Sequence, residues 1–103
     1  MKRNNDLTYR LLTFFRDKQS DGYTKAPVIN GYDELMVRKH LILLYEAGLL
    51  RCEPIKSNTS DRVVDVVPFD LTWEGHETLD RMRHSKIRAM ESFLPMWPLL
   101  MAL

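Results

Sequence analysis

Clustered basic side chains are the residues in this sequence best suited to chemistry. Residues 81–88 hold four basic and no acidic residues, which leaves the rest of a chain of net charge +1 at −3. Arginine and lysine bind phosphate oxygens, and arginine also reads guanine in the major groove. The candidate nucleic-acid contacts are Arg38, Lys39, Lys56, Arg62, Arg81, Arg83, Lys86 and Arg88. The alternatives are a basic helix end that complements its dipole, or a surface that binds an acidic protein.

Residues that catalyse reactions or bind metals form no recognisable set. Cys52 follows an apolar run in a predicted strand, which favours a small core residue over a reactive thiol. His40, His76 and His84 lack the spacing of a metal-ligand pair, and the four glycines are too isolated for a phosphate-binding loop. We therefore expect no catalytic residues, no metal, no cofactor and no enzymatic activity.

Length and composition predict one globular domain in the cytoplasm. The chain has 103 residues, of which 45% are hydrophobic and 28% charged, as in ordinary soluble proteins. A single cysteine rules out an intramolecular disulfide and favours a reducing compartment. No apolar run follows the basic N-terminus as a signal peptide requires, and the apolar end is too short to span a bilayer. We expect no membrane association.

Residues 33–50 form the segment around which the other elements are arranged. Asp33 is a plausible N-cap, with Asn30 as the alternative, and Gly48 can close the helix in the left-handed conformation. Val37, Leu41 and Leu44 share one helical face, which predicts that they point inward. The residues then expected to point outward are Leu35, Arg38, Lys39, Ile42 and Glu46. An outer face that includes leucine and isoleucine is more typical of a protein contact than of a DNA-reading helix.

The flanking segments predict two further helices, a short strand and a β-hairpin. A first helix, capped by Asn5 or Asp6, has the apolar face Leu7, Leu11, Leu12, Phe14 and Phe15. Residues 26–29 are a candidate edge strand; residues 49–55 and 62–69 are strands joined by a polar loop. Thr72 is the expected N-cap of a last helix that runs to about Glu91. The helical stripe of this helix comprises Trp73, His76, Leu79, Met82 or Arg83, Ile87 and Met90.

The order helix, short strand, helix, two-stranded wing, helix predicts an α+β fold, a small winged-helix domain. We expect this domain to cover residues 1–92 and an apolar tail to cover residues 93–103. The tail residues expected to contact a partner or a dimer mate are Phe93, Leu94, Met96, Trp97, Leu99 and Leu100. Burying each large side chain is worth roughly 1.5–3 kcal/mol, so the tail should pack on its own domain, on a homodimer mate or on another protein.

Two motifs resemble those of known proteins. KHLILLYEAGLL resembles the end of the recognition helix and the first wing strand of winged-helix regulators. LTWEGHETLD, together with MKRNNDL and GYDE, is similar to a family of small bacterial and prophage proteins of unknown function, over about residues 1–88. The resemblance implies the winged-helix fold and no particular activity. Two segments depart from this resemblance. The segment before the central helix is too short to form the preceding helix of a helix-turn-helix, and the tail is apolar where a charged helix would be expected to continue.

The sequence supports two functions. In the first, a dimeric transcription-regulator-like protein binds double-stranded DNA, with Arg38 and Lys39 in the major groove and Lys56 and Arg62 on the backbone. In the alternative, the domain is a protein–protein interaction module that does not bind DNA. The basic run and the hairpin favour DNA binding, whereas the near-neutral charge and the apolar helix face favour a protein partner.

Overall fold

The computed structural model describes residues 3–19 and 22–93, with side chains as far as Ser85. Five elements follow in chain order: α1 (Asn5–Asp17), α2 (Glu34–Glu46), β1 (Leu50–Lys56), β2 (Val63–Leu71) and α3 (Trp73–Phe93). The fold is α+β, as predicted. The tail residues Leu94, Met96, Trp97, Leu99 and Leu100 lie outside the described residues, as does the side chain of Phe93.

Helix α1 begins one residue earlier than its predicted caps allow. Asn4 is the N-cap, and its side-chain oxygen accepts a hydrogen bond from the Leu7 amide at 2.9 Å. The predicted caps Asn5 and Asp6 are therefore wrong, because both already lie in the first turn. Of the predicted apolar face, only Phe14 stays at the surface, and its ring meets that of Phe15 edge to face.

Helix α2 forms as the sequence predicts. Asp33 caps it by accepting a hydrogen bond from the Met36 amide at 2.7 Å. Gly48 follows the end of the helix with a φ of +76°. This conformation is unfavourable for residues that carry a Cβ atom, so glycine is the residue that suits it. The predicted inner face of Val37, Leu41 and Leu44 is fully buried.

Strands β1 and β2 form a two-stranded antiparallel hairpin. Leu50 pairs with Leu71 at its base and Lys56 with Val63 at its tip, with irregularities after Arg51 and Ile55. The amide of Ser57 donates to the carbonyl of Arg62 at 2.9 Å and closes the loop. The hairpin was predicted, although β2 extends two residues beyond its expected end.

The predicted edge strand at residues 26–29 does not form. The described residues between α1 and α2 contain neither helix nor strand. The Thr24 amide donates to the Pro68 carbonyl at 3.0 Å, but Pro27 has no amide hydrogen to extend such a ladder and Val28 is 95% exposed.

Helix α3 packs through a different stripe from the one predicted. Thr72 is its N-cap as expected, since its hydroxyl accepts from the Gly75 amide at 3.1 Å. Trp73 is 75% exposed and His76 is also exposed, so their assignment to the packed stripe is wrong. Gly75 and Leu79 are buried instead, and Met82 packs against the core.

The core lies where α1 and α2 pack against each other, the base of the hairpin and the first half of α3. Its buried apolar members are Leu7, Leu11, Leu12, Phe15, Val37, Leu41, Leu44, Leu50, Val66, Leu71 and Leu79. Because every element contributes to this cluster, the core fixes the positions of the three helices relative to one another.

Candidate binding groove

The end of α2 and the start of α3 are joined by a compact set of backbone contacts. The Thr72 hydroxyl donates to the Gly48 carbonyl at 2.6 Å, and the Thr72 amide donates to the Leu49 carbonyl at 3.1 Å. A Cβ atom on Gly75 would lie 2.0 Å from the Leu49 oxygen, so only glycine allows this approach. We call these four residues the α2–α3 junction. The junction gives a structural reason for two sequence motifs. AGLL supplies Gly48 and Leu49, and LTWEG supplies Thr72 and Gly75.

The junction holds α3 beside α2 and leaves a groove between α1, α2 and α3. Its volume is about 840 Å³, within the range of ligand-binding clefts. The apolar part of its wall comes from the second half of α2, the turn after it, and α3: Leu43, Leu44, Ala47, Leu49 and Met82. Thr8 and Tyr9 contribute from α1, and Thr78 and Ser85 from α3. The charged lining residues are of both signs, Arg3 and Arg81 against Asp6 and Glu46.

His40 lies at the base of the groove, only 1% exposed. Its Nε2 atom accepts a hydrogen bond from the Asn4 amide at 2.9 Å, and its Nδ1 atom lies 2.9 Å from the Met36 carbonyl, to which it donates. Since the backbone uses both ring nitrogens, the ring is neutral with its proton on Nδ1. His40 therefore ties the start of α1 to α2 and offers no free nitrogen to a ligand.

Arg38 lies on the opposite side of α2, where it contacts the hairpin. Its guanidinium lies 2.6 Å from the Asp65 carboxylate on β2, with 43% and 27% of the two side chains exposed. The hydrogen bond to Asp65 raises the pKa of Arg38, so the guanidinium stays charged, and the Asp65 carboxylate offsets part of that charge. The side chain predicted to enter the major groove is held against the hairpin by this ion pair.

The other predicted basic residues lie on α2, in the loop between the two strands and on α3. Lys39 is exposed on α2, and Lys56 and Arg62 are exposed at the two ends of the wing loop. Arg81 borders the groove and contacts the Thr78 hydroxyl at 3.1 Å, while Arg83 is exposed elsewhere on α3. Lys86 and Arg88 belong to α3, but their side chains lie outside the described residues.

Two kinds of chemical site can be checked among the described residues, a reactive cysteine and a metal site. Cys52 lies in β1 and not in the groove, and burial raises the pKa of its thiol to about 12, so it is protonated at neutral pH. Within residues 3–19 and 22–93, no group of three or more His, Cys, Asp or Glu residues could hold a metal ion.

The same part of the chain contains no helix long and apolar enough to cross a membrane.

Sequence reasoning missed His40 and the groove itself. His40 follows Val37 by three residues and precedes Leu44 by four, so helical spacing alone places it on the buried face. The groove has no comparable signal. It depends on the angle at which α3 leaves the α2–α3 junction, which no single segment encodes.

Comparison with known proteins places the chain in a family. An uncharacterized protein of Haemophilus influenzae (strain Rd) is 31% identical over 88 residues, which cover 84% of this chain and 72% of that protein. No solved structure matches the chain. The family model described as "Hypothetical protein (DUF2513)" matches residues 2–90, which include α1, α2, β1, β2 and most of α3. The chain belongs to the DUF2513 family.

Proposed function

We propose that this protein is a non-enzymatic protein–protein interaction module with a winged-helix arrangement. In that arrangement α2 stands in the place of the recognition helix and the hairpin in the place of the wing. The groove between α1, α2 and α3 is the observation that carries the proposal, because it is apolar, concave and lined by three separate elements. The segment that fits it is an apolar stretch of a partner chain with a carboxylate placed against Arg3 or Arg81.

The charge on the opposite face supports a protein partner over DNA. Residues 33–71, which comprise α2 and the hairpin, carry seven acidic and five basic side chains. Asp33 and Glu34 lie at the N-terminal end of α2, the end that reads bases when a recognition helix enters DNA. With Arg38 bound to Asp65, the surface that should meet phosphates has no excess of positive charge.

The test compares two variants of α2 that differ in position but not in chemistry. Leu43→Asp places a carboxylate in the groove, and Leu35→Asp places one on the exposed face outside it. Proteins captured by the tagged full chain are identified, purified and titrated against each variant. We expect a purified partner to bind Leu43→Asp at least about tenfold more weakly than wild type and Leu35→Asp unchanged. A set of partners that bind both variants equally would overturn the proposal.

DNA binding is the second candidate, and one observation favours it. Lys39, Lys56 and Arg62 are all exposed, and among the described side chains none of the three has an ion-pair partner of the kind that holds Arg38. Together with the basic run on α3, these side chains supply cations for backbone contacts. Such contacts give sequence-independent affinity that falls steeply with salt.

A further inference from the structure

We propose that the chain's own apolar segment, residues 93–103, occupies the groove, and that a partner must displace it. The inference rests on the proposed function, since both concern the same groove, and it assigns that site a built-in competitor.

The segment starts close enough to return to the groove. Helix α3 lines the groove from Thr78 to Ser85 and ends at Phe93. Eight further helical residues carry the chain about 12 Å beyond Ser85. The ten residues after Phe93 can span roughly 33 Å when extended, so a reversal still leaves enough chain to enter the groove. Pro95 and Pro98 oppose continuation of the helix and so favour such a reversal.

The chemistry of the segment matches that of the groove. Residues 93–103 contain no charged side chain and eight large apolar ones. The groove presents half-buried Leu43, Leu49 and Met82, which gain contacts only when another apolar group covers them. Contact between the two surfaces removes apolar area from water on each side. The free energy gained is about 25 cal/mol per Å² of apolar area buried.

The same chain is a better source of the segment than a second copy. A segment tethered to its site acts at an effective concentration on the order of millimolar, which an untethered copy does not reach. Pairing two copies along α3 would also bring together two basic runs, each with four positive and no negative side chains over residues 81–88. That like-charge contact opposes exchange of the segment between copies.

Trp97 gives a direct readout in the full-length protein. The chain has two tryptophans, and Trp73→Phe leaves Trp97 as the sole tryptophan, which is excited selectively over the tyrosines at the red edge of the absorption band. The structural cost is small, since Trp73 is 75% exposed. In this background we compare Leu43→Asp and Ala47→Glu, both in the groove, with the control Leu35→Asp outside it. Ala47 is exposed after the end of α2, so its replacement leaves the core intact even if Leu43→Asp weakens folding.

We expect Trp97 emission that is blue-shifted and shielded from acrylamide, in a particle whose light-scattering mass is that of a monomer. Both groove variants should shift the emission to the red and raise the quenching constant severalfold, whereas Leu35→Asp should change neither. Trp97 that is already open to quencher, or shielded equally in every variant, overturns the inference. Shielding that depends on the groove but appears only with dimer mass overturns it in favour of a second copy.

Failure of this inference can be told apart from failure of the proposed function. If Trp97 ignores the groove variants while a purified partner still loses affinity on Leu43→Asp, the groove is a partner site without an internal competitor. If Trp97 responds and no partner depends on the groove, the segment is a structural part of the domain and the proposed function fails.

Discussion

At the residue scale, the most constrained position is a glycine in a helix. Gly75 lies in the first turn of α3, where glycine is a poor helix former. The close approach of the Leu49 carbonyl is the physical reason for it, because a Cβ would fall 2.0 Å from that oxygen. Thr72 is constrained in the same way, since its hydroxyl bonds two backbone groups of the junction.

Gly75→Ala should therefore destabilise the fold despite the better helix propensity of alanine. We expect a loss of about 1–3 kcal/mol in the free energy of unfolding, because backbone on both sides must shift to make room. Urea unfolding followed by circular dichroism measures it. Glu74→Ala, in the same turn but exposed, is the matched control and should change stability by less than about 0.5 kcal/mol. Equal stability of the glycine and alanine proteins would contradict the geometry of the junction.

Cys52 should be chemically inert in the folded protein. Burial raises the pKa of its thiol from 9.0 to about 12, so the reactive thiolate is scarce at pH 8. We expect labelling by a thiol reagent to be two to three orders of magnitude slower in buffer than in urea, in line with the smaller thiolate fraction. The unfolded thiol ionises first, so this group lowers stability as pH rises from about 9 to 12. Similar labelling rates in both conditions would show that the thiol is open to solvent.

At the element scale, single side chains set how the helices and the hairpin meet. His40 joins α2 to the N-terminal end of α1, and Arg38 joins α2 to β2. The two contacts differ in burial, which decides how much each stabilises. A buried neutral hydrogen-bonded group leaves an unsatisfied partner when removed, whereas an exposed ion pair is screened by water.

His40→Ala should be strongly destabilising. It removes a buried ring and leaves the Asn4 amide without its acceptor, for a combined loss of about 2–4 kcal/mol. Hydrogen exchange at the Asn4 amide should also accelerate, because that amide loses its acceptor. A general loss of packing would accelerate exchange at the α1 amides as well. Lys39→Ala, the exposed neighbour, serves as the control. An unchanged Asn4 exchange rate relative to the other α1 amides would contradict the assigned hydrogen bond.

The Arg38–Asp65 pair should contribute little stability despite its short distance. A double-mutant cycle with Arg38→Ala and Asp65→Ala should give a coupling energy below about 1 kcal/mol, because both side chains are partly solvated. The coupling should weaken further in 1 M salt. A coupling of several kcal/mol, insensitive to salt, would mean that the pair is far better shielded than its exposure indicates.

At the scale of the whole molecule, the two faces of α2 are suited to different partners. One side faces an apolar groove, and the other carries an ion-paired arginine beside a hairpin with excess acidic charge. The described basic residues Lys39, Lys56, Arg62, Arg81 and Arg83 are distributed over α2, the loop between the two strands and α3. This distribution is what separates the protein-binding proposal from DNA binding.

Titration with random duplex DNA across salt tests that separation. Under the protein-binding proposal, we expect weak affinity at low salt and a shallow dependence on salt concentration, since few phosphates are neutralised. The triple variant Lys39→Ala/Lys56→Ala/Arg62→Ala should change the dependence of the DNA affinity on salt very little. Leu35→Asp is the charge control. A steep salt dependence that this triple variant flattens would establish DNA binding by α2 and the wing, and would replace the proposal made above.

The local elements were predictable because their signals lie within a few residues of one another. Asp33 and Thr72 cap the helices they were predicted to cap, Gly48 takes its positive φ, and a valine-rich run forms the returning strand. The family resemblance also lay in local motifs, and the match over residues 2–90 confirms a family of hypothetical proteins.

Long-range packing decided the rest. Whether Trp73 or Gly75 packs inward, whether Arg38 is free or bound to Asp65, and whether α1, α2 and α3 leave a groove all depend on how distant elements meet. Helical periodicity fixes which residues share a face, but the angle between helices fixes which face is buried. In this protein that angle is set by a backbone contact between Leu49 and Gly75, 26 residues apart, which neither segment reveals alone.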